Sequence, residues 1–182
     1  MGTLLYSMIT SLDGYVVDAQ GSFDWAEPDR EVFEFVTERT RDIGTYLMGR
    51  RMYELMQYWD TPEAHAGDER DYAAVWSATD KVVFSTTLQD VTTARTTLQN
   101  TFDPELVARL KSLSSTRLSV EGPTFAAHAL RAGLVDEIEQ YLVPVVVGGG
   151  IPFFPADLRL DLELLDERRF GSGVVWLRYG CR

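Results

Sequence analysis

Three short stretches of the chain carry residue types suited to holding a phosphate: Gly49-Arg50-Arg51, Ser85-Thr86-Thr87 and Glu121-Gly122-Pro123-Thr124. A guanidinium offers a planar fork of donors that matches phosphate oxygens, so arginine suits a phosphate ester better than lysine does. Arg50 and Arg51 fall in what reads as the first turn of a helix, where positive charge opposes the helix dipole. The cost is roughly 0.3–1 kcal/mol per charge, which weighs slightly toward a functional reason and against a merely solvated pair. Ser85, Thr86 and Thr87 offer hydroxyl and backbone donors, or simple strand-end turn chemistry. A strand that enters a helix through glycine leaves backbone N–H groups unpaired at the strand's end, a geometry that attracts anions.

Other chemistries lack their residues. His65, His128 and Cys181 are the only imidazoles and thiol, none at metal-ligand spacing. No G-x-S-x-G supports a nucleophile elbow, no G-x-x-x-x-G-K-[ST] a P-loop, and no G-x-G-x-x-G a dinucleotide fingerprint. Gly148-Gly149-Gly150 either lets the chain turn sharply before Pro152 or lets it approach a ligand closely.

At 182 residues the chain fits one domain, 1–182, with enough length for a substantial core. Its 45% hydrophobic and 25% charged residues are ordinary for a globular protein. A net charge of −11 argues against general binding to nucleic acid or anionic membranes, without excluding a local basic site. Lone Cys181 rules out an internal disulfide, the first residues lack a basic signal start, and Tyr6 breaks the myristoylation pattern. No apolar run approaches the roughly 20 residues that span a bilayer. A cytoplasmic protein is expected.

The elements that must position these residues follow from pattern. Leu4 to Ile9 reads as a buried strand, followed by a long Gly- and Asp-rich loop. A helix is expected from Asp29, with Val32, Phe35, Val36 and Ile43 at near-helical spacing and Gly44 closing it. Thr45 to Met48 reads as a strand running into Gly49 and a second helix, and residues 60–71 as a polar loop. A short helix or turn spans Tyr72 to Ala78, a strand Lys81 to Ser85, and an edge strand Thr92 to Gln99. Asp103 caps a helix with Leu106, Val107, Leu110 and Leu113 as its buried stripe. Next come a strand at Leu118 to Val120, a helix opened by Pro123 and stopped by Gly133, and a long apolar strand ending in the three glycines. Leu160 to Phe170 and Val174 to Tyr179 flank Gly171-Ser172-Gly173 as an antiparallel hairpin. The sum is an α/β sandwich: a mostly parallel sheet, helices on both faces, and an antiparallel edge. In such sheets ligands sit at the carboxyl ends of the strands, where all three phosphate-suited turns would fall.

The segments M-I-T-S-L-D-G-Y, Y-L-M-G-R-R-M-Y-E, K-V-V-F-S-T-T-L, V-E-G-P-T-F-A-A-H-A-L-R-A-G-L-V-D-E and P-V-V-V-G-G-G-I-P-F-F together resemble the dihydrofolate reductase-like superfamily. More narrowly they resemble the reductase domain at the C-terminus of bifunctional riboflavin-biosynthesis proteins and its stand-alone bacterial relatives. The likeness runs from Met8 to Phe154. It implies a three-layer α/β/α fold and an NADPH-dependent reductase, in family terms most like 5-amino-6-(5-phosphoribosylamino)uracil reductase. By that resemblance Gly49, Arg50, Arg51 and Met52, with Ser85, Thr86 and Thr87, take the adenosine end and its 2′-phosphate. Glu121, Gly122, Pro123, Thr124 and Phe125 form the pyrophosphate turn, and Ser11, Leu12, Asp13 and Gly14 border the nicotinamide. Many relatives carry a second glycine or a serine where this chain has Pro123. The missing N–H shifts the expected pyrophosphate contacts to Thr124 and Phe125.

On the substrate side Asp29 is the candidate catalytic carboxylate, with Glu31 nearby, and Phe33 lies at i+4 from Asp29 on one helix face. An acid beside an aromatic suits a flat pyrimidine or pterin. The alternative is a first-turn acid complementing the helix dipole. Trp25 and Trp59 line the substrate side or pack in the core. The zinc-ligand motifs of a deaminase are absent. The family and the apolar terminal hairpin also imply a homodimer acting on a small molecule. The rival from another class is a nucleotide- or pterin-binding protein that keeps the fold without turnover.

Overall fold

The structure, a computed structural model, describes residues 2–182. An eight-stranded sheet forms its middle. In chain order its strands are β1 (Leu4–Ser11), β3 (Ile43–Gly49), β4 (Asp80–Phe84), β5 (Thr96–Gln99), β6 (Arg117–Glu121), β7 (Glu137–Val143), β9 (Leu162–Arg169) and β10 (Val175–Cys181). Across the sheet the order is β5-β4-β3-β6-β1-β7-β10-β9. The first six are mutually parallel, and β10 and β9 close one edge as an antiparallel hairpin. A separate ribbon pairs β2 (Tyr15–Asp18) with β8 (Gly150–Pro152). The helices are α1 (Arg30–Thr40), α2 (Arg50–Met56), α3 (Pro62–Ala66), α4 (Arg70–Ala78), α5 (Pro104–Leu113) and α6 (Pro123–Arg131).

Strand alternation sorts side chains between the two faces. Leu4, Tyr6, Leu47, Leu118, Val120 and Ile138 pack with Val107 of α5 and Ala126, Ala129 and Leu130 of α6. Their neighbours Leu5, Tyr46, Met48 and Val83 point the other way, onto Tyr53 and Met56 of α2 and Trp76 of α4. Val32 of α1 joins Tyr141, Phe170 and Trp176 on that same side. Removing one such side chain, as in Leu47→Ala, costs about 2–5 kcal/mol. The mostly parallel sheet with helices on both faces and a terminal hairpin is what the pattern implied, and the three-layer α/β/α, dihydrofolate reductase-like fold is what the resemblance implied.

Local boundaries differ from the sequence reading in five places. The first helix stops at Thr40, and Ile43 and Gly44 belong to β3. A Cβ on Gly44 would stand 2.0 Å from Thr116 Oγ1, so this glycine serves a close approach and does not stop a helix. The polar stretch 60–71 is partly helical: Thr61 caps α3 through Ala64 N with Pro62 in the first turn, and α4 begins at Arg70. The expected edge strand is shorter, Thr96–Gln99. Leu113 is 79% exposed because α5 ends there and the stripe runs out. The apolar strand breaks at Val143, before Pro144, whose missing N–H cannot continue the ladder. The triple glycine then feeds β8. A Cβ on Gly150 would lie 1.9 Å from the Val17 carbonyl oxygen, so close packing against β2 accounts for it.

Candidate functional site

β4, β3 and β6 are consecutive in the sheet, so the turns that follow them emerge side by side at its carboxyl edge. Gly49 ends β3 and caps α2; Ser85 follows β4; Gly122 follows β6 and caps α6. The first and third turns are knitted together through their glycines. A Cβ on Gly49 would meet Phe125 Cβ at 3.5 Å, and one on Gly122 would meet Met52 Cβ at 3.4 Å. Gly122 also has φ 84°, in the left-handed region that favours glycine. Met52 and Phe125 are thus the packing that brings the turns close.

The donors around these turns are unevenly engaged. Arg50 donates from Nε to Glu54 Oε1 at 2.6 Å and from Nη1 to Thr87 Oγ1 at 3.0 Å. Arg51 is exposed and makes no ion pair or side-chain hydrogen bond among the described residues. Ser85 Oγ accepts from the Thr87 and Leu88 amides at 3.2 and 3.0 Å, shaping a turn that leaves Thr86 and Thr87 exposed. In α6 the first helical bond runs from Ala126 N to Gly122 O at 2.9 Å. The Thr124 and Phe125 amides precede it and belong to the donors a helix cannot satisfy by itself. Pro123 contributes none.

The Ser11–Gly14 loop is largely occupied with its own architecture. Ser11 is buried and its Oγ accepts from Tyr15 N at 3.0 Å. Asp13 accepts from Val147 N at 3.2 Å and Gly148 N at 2.8 Å; hydrogen bonding with Ser11, then with those amides, holds its carboxyl below the ordinary range. Leu12 remains 62% exposed, beside Gly14 with φ 86°.

Asp29 caps α1, accepting from Val32 N at 2.9 Å, and bonds with Ser172 and Val32 keep its carboxyl ionised, below its ordinary pKa. It also lines a cleft of about 190 Å³ with Ile9, Pro28, Val143, Ser172 and Val174. Such a carboxylate can orient a ligand, while donating a proton near neutral pH is beyond it. Glu31 is bound to Arg168 and the Gly171 amide, pinning the terminal hairpin. Phe33 does not line that cleft; it stacks with Trp59 at 6.3 Å and lies tilted against Tyr72 at 6.0 Å. The Trp25 indole N–H is buried without a partner among the described residues.

Glu121 has a property that sequence reasoning missed. The alternation of β6 puts Ser119 and Glu121 on one face, opposite Leu118 and Val120. Ser119 Oγ donates to Glu121 Oε1 at 2.5 Å, and burial pushes the carboxyl up to about 7 despite that bond. Burial first, and then its charge, raise the phenols of Tyr6, Tyr46 and Tyr72, and the Tyr46 hydroxyl is buried without a partner among the described residues. A titratable acid therefore ends the strand directly before Gly122. The legible signal was polar alternation within a central strand.

A larger hollow of about 590 Å³ lies at the opposite edge, lined in part by Arg41 and Arg95. Both guanidiniums are paired there, with Glu38 and Asp80. The two histidines are apart: His65 lies near Ser77, and His128 stacks on Phe102.

Comparison with known proteins follows the same lines. The family described as the RibD C-terminal domain matches residues 3–176. The uncharacterised protein YyaP of Bacillus subtilis is 25% identical over 179 residues, covering 97% of this chain and 93% of its own. Among solved structures, a putative riboflavin biosynthesis protein from Shewanella sp. PV-4 superposes with a TM-score of 0.75 at 20% identity, covering 99% of both chains. Dihydrofolate reductase from Enterococcus faecalis, complexed with NADP(H), gives 0.68 at 14% identity over 100% of this chain and 97% of its own.

Proposed function

The chain belongs to the RibD C-terminal domain family, and from that membership we propose that it is an NADPH-dependent reductase acting on a small heterocyclic, carbonyl or imine substrate. The observation that carries the reading is the meeting of three donor-rich turns on adjacent parallel strands, with Arg51 left unpaired at their mouth. The donor set fits a dinucleotide with an extra phosphate ester. Arg50, Arg51, Thr86 and Thr87 would hold the 2′-phosphate, and the Thr124 and Phe125 amides the pyrophosphate. Gly49 and Gly122 let Phe125 and Met52 pack close beneath the turns, which keeps the two sets of donors side by side. Leu12 and Gly14 would border the nicotinamide. When bound, the cofactor supplies hydride.

The chain's own residues supply the rest. Glu121, titrating near neutrality, is the acid we assign to proton delivery. Asp29 stays ionised and would orient a substrate with N–H donors at the mouth of its cleft. Ile9, Val143 and Val174 would offer that cleft its apolar walls. Cytoplasmic residence is part of this reading. So is a homodimer, for which the open edge strand β9 with half-exposed Leu164 and Leu165 is the support; sedimentation as a monomer would count against it.

Titration of NADPH and NADH, followed by nicotinamide fluorescence, tests the core of the proposal. NADPH is expected to bind more tightly. Failure of both at millimolar concentration would remove the reductase reading. Binding without oxidation by any pterin, pyrimidine or quinone would return the non-catalytic binder.

A further inference from the structure

The loop that carries Ser85, Thr86 and Thr87 is fastened to α2 along one side of that helix. Arg50 Nη1 reaches Thr87 Oγ1 at 3.0 Å. One turn on, Tyr53 Oη accepts from the amides of Thr92 and Thr93 at 2.9 and 3.2 Å, and from Thr93 Oγ1 at 3.3 Å. A further turn on, Gln57 Nε2 donates to Thr92 Oγ1 at 3.1 Å. Positions 50, 53 and 57 share one helix face. The Tyr53 ring is buried, 1% exposed, with Leu88 and Val91 of the same loop packed on its cluster. Tyr53 thus anchors the loop from the core, whereas the Arg50 and Gln57 hydrogen bonds to it are exposed.

We propose that Tyr53 is a positioning residue for cofactor selection: its phenol oxygen grips two successive backbone amides and so holds the Ser85–Thr87 turn against Arg50, in register for a phosphate ester. This rests on the NADPH reading above. Tyr53 touches no cofactor itself; it acts through the loop. The ring fills the core whether or not the hydroxyl is present, so the hydroxyl is free to be kept for the clamp. The titration of the phenol is consistent with this geometry. Burial raises it, but the hydrogen bonds from Thr93 and Thr92 together outweigh burial and bring it down to about 8. The charged group facing it from the sheet is Lys81, itself surrounded by Asp60, Arg95 and Asp80, while Arg50 and Glu54 stand on its own helix.

The test compares wild type with Tyr53→Phe, and with Gln57→Met as a milder cut in the same fastening. Ultraviolet difference absorbance is expected to show one tyrosine ionising near 8 in wild type and none in Tyr53→Phe. In binding titrations Tyr53→Phe is expected to weaken NADPH about tenfold, which corresponds to ~1.4 kcal/mol, and NADH less than about twofold. The turnover number of saturated enzyme should be unchanged, and Gln57→Met should shift NADPH in the same direction by less. Equal loss of both nucleotides, or no loss of either, overturns the proposal while leaving the reductase reading intact. Wild type that binds neither nucleotide overturns both.

Discussion

At the amino edge of the sheet Arg39, Arg117 and Arg178 are locked to Glu137 and Glu139, whereas at the carboxyl edge Arg51 has no partner among the described residues and Arg50 reaches only exposed partners. Arg117 donates to Glu137 at 2.9 Å and Glu139 at 3.2 Å; Arg178 grips Glu137 with two bonds; Arg39 and the Trp176 indole both reach Glu139, which is 1% exposed. At the other edge Arg50 shares its guanidinium between Glu54 and Thr87, with its side chain 48% exposed. On the proposed reading the same residue type serves two purposes. A buried carboxylate such as Glu139, and the half-buried arginines around it, must be neutralised inside the protein because their desolvation is costly. An arginine meant for an exchangeable anion must be left with spare donors in water, where going unpaired costs little.

The contrast can be broken by substitution, and the largest effect belongs to the amino edge. Glu139→Ala strands Arg39 and the Trp176 indole and leaves Arg117 only its other carboxylates, and should lower the free energy of unfolding by about 3–5 kcal/mol, read by urea denaturation. NADPH affinity of the folded fraction should not change. A loss of affinity as large as the loss of stability would mean the two edges are not separable.

Glu121→Gln comes next, because this residue combines burial with a place at the site. The folded carboxyl titrates at about 7 and the unfolded one at about 4.3. Between those values the folded state holds the extra proton, so stability falls as pH rises. At about pH 8 the variant should be more stable than wild type by on the order of 2–3 kcal/mol, with the difference vanishing below about pH 4. If Glu121 delivers the proton, wild-type turnover falls above pH ~7 and the variant's slower turnover loses that dependence. A variant with wild-type turnover would confine Glu121 to a structural role.

The smallest effect on stability is expected from Arg50→Ala with Arg51→Ala, within about 0.5 kcal/mol. The same pair should weaken NADPH roughly 10- to 100-fold while sparing NADH, since hydrogen bonds to charged groups are worth about 1.5–3 kcal/mol. Equal loss for both nucleotides would show that the extra phosphate is read elsewhere.

Legibility in the sequence followed the range of the interactions involved. Strand–glycine–helix junctions are set within a few residues, so Gly49, Ser85 and Gly122 could be read directly, and their shared edge follows from parallel connectivity. Thr61-Pro62 carried a cap signal that the polar composition of residues 60–71 obscured. Gly44 and Gly150 looked like a helix stop and a sharp turn or ligand approach. Each is in fact required by a neighbour distant in sequence, Thr116 and the Val17 carbonyl, which no local pattern encodes.

The amino-acid sequence by itself determined the α/β architecture, the family and the identity of the phosphate-suited turns, because periodicity, glycine placement and short motifs are local properties. Only the tertiary structure decided which polar groups are already engaged. Asp29 and Glu31 look alike as first-turn acids, yet one caps its own helix at a cleft and the other ties down the terminal hairpin. Arg39 and Arg51 are the same residue type, one sealed against Glu139 and one free. The pKa of Glu121 depends on burial, and the grip of Tyr53 on its loop on partners dozens of residues away, and both exist only once the chain has folded.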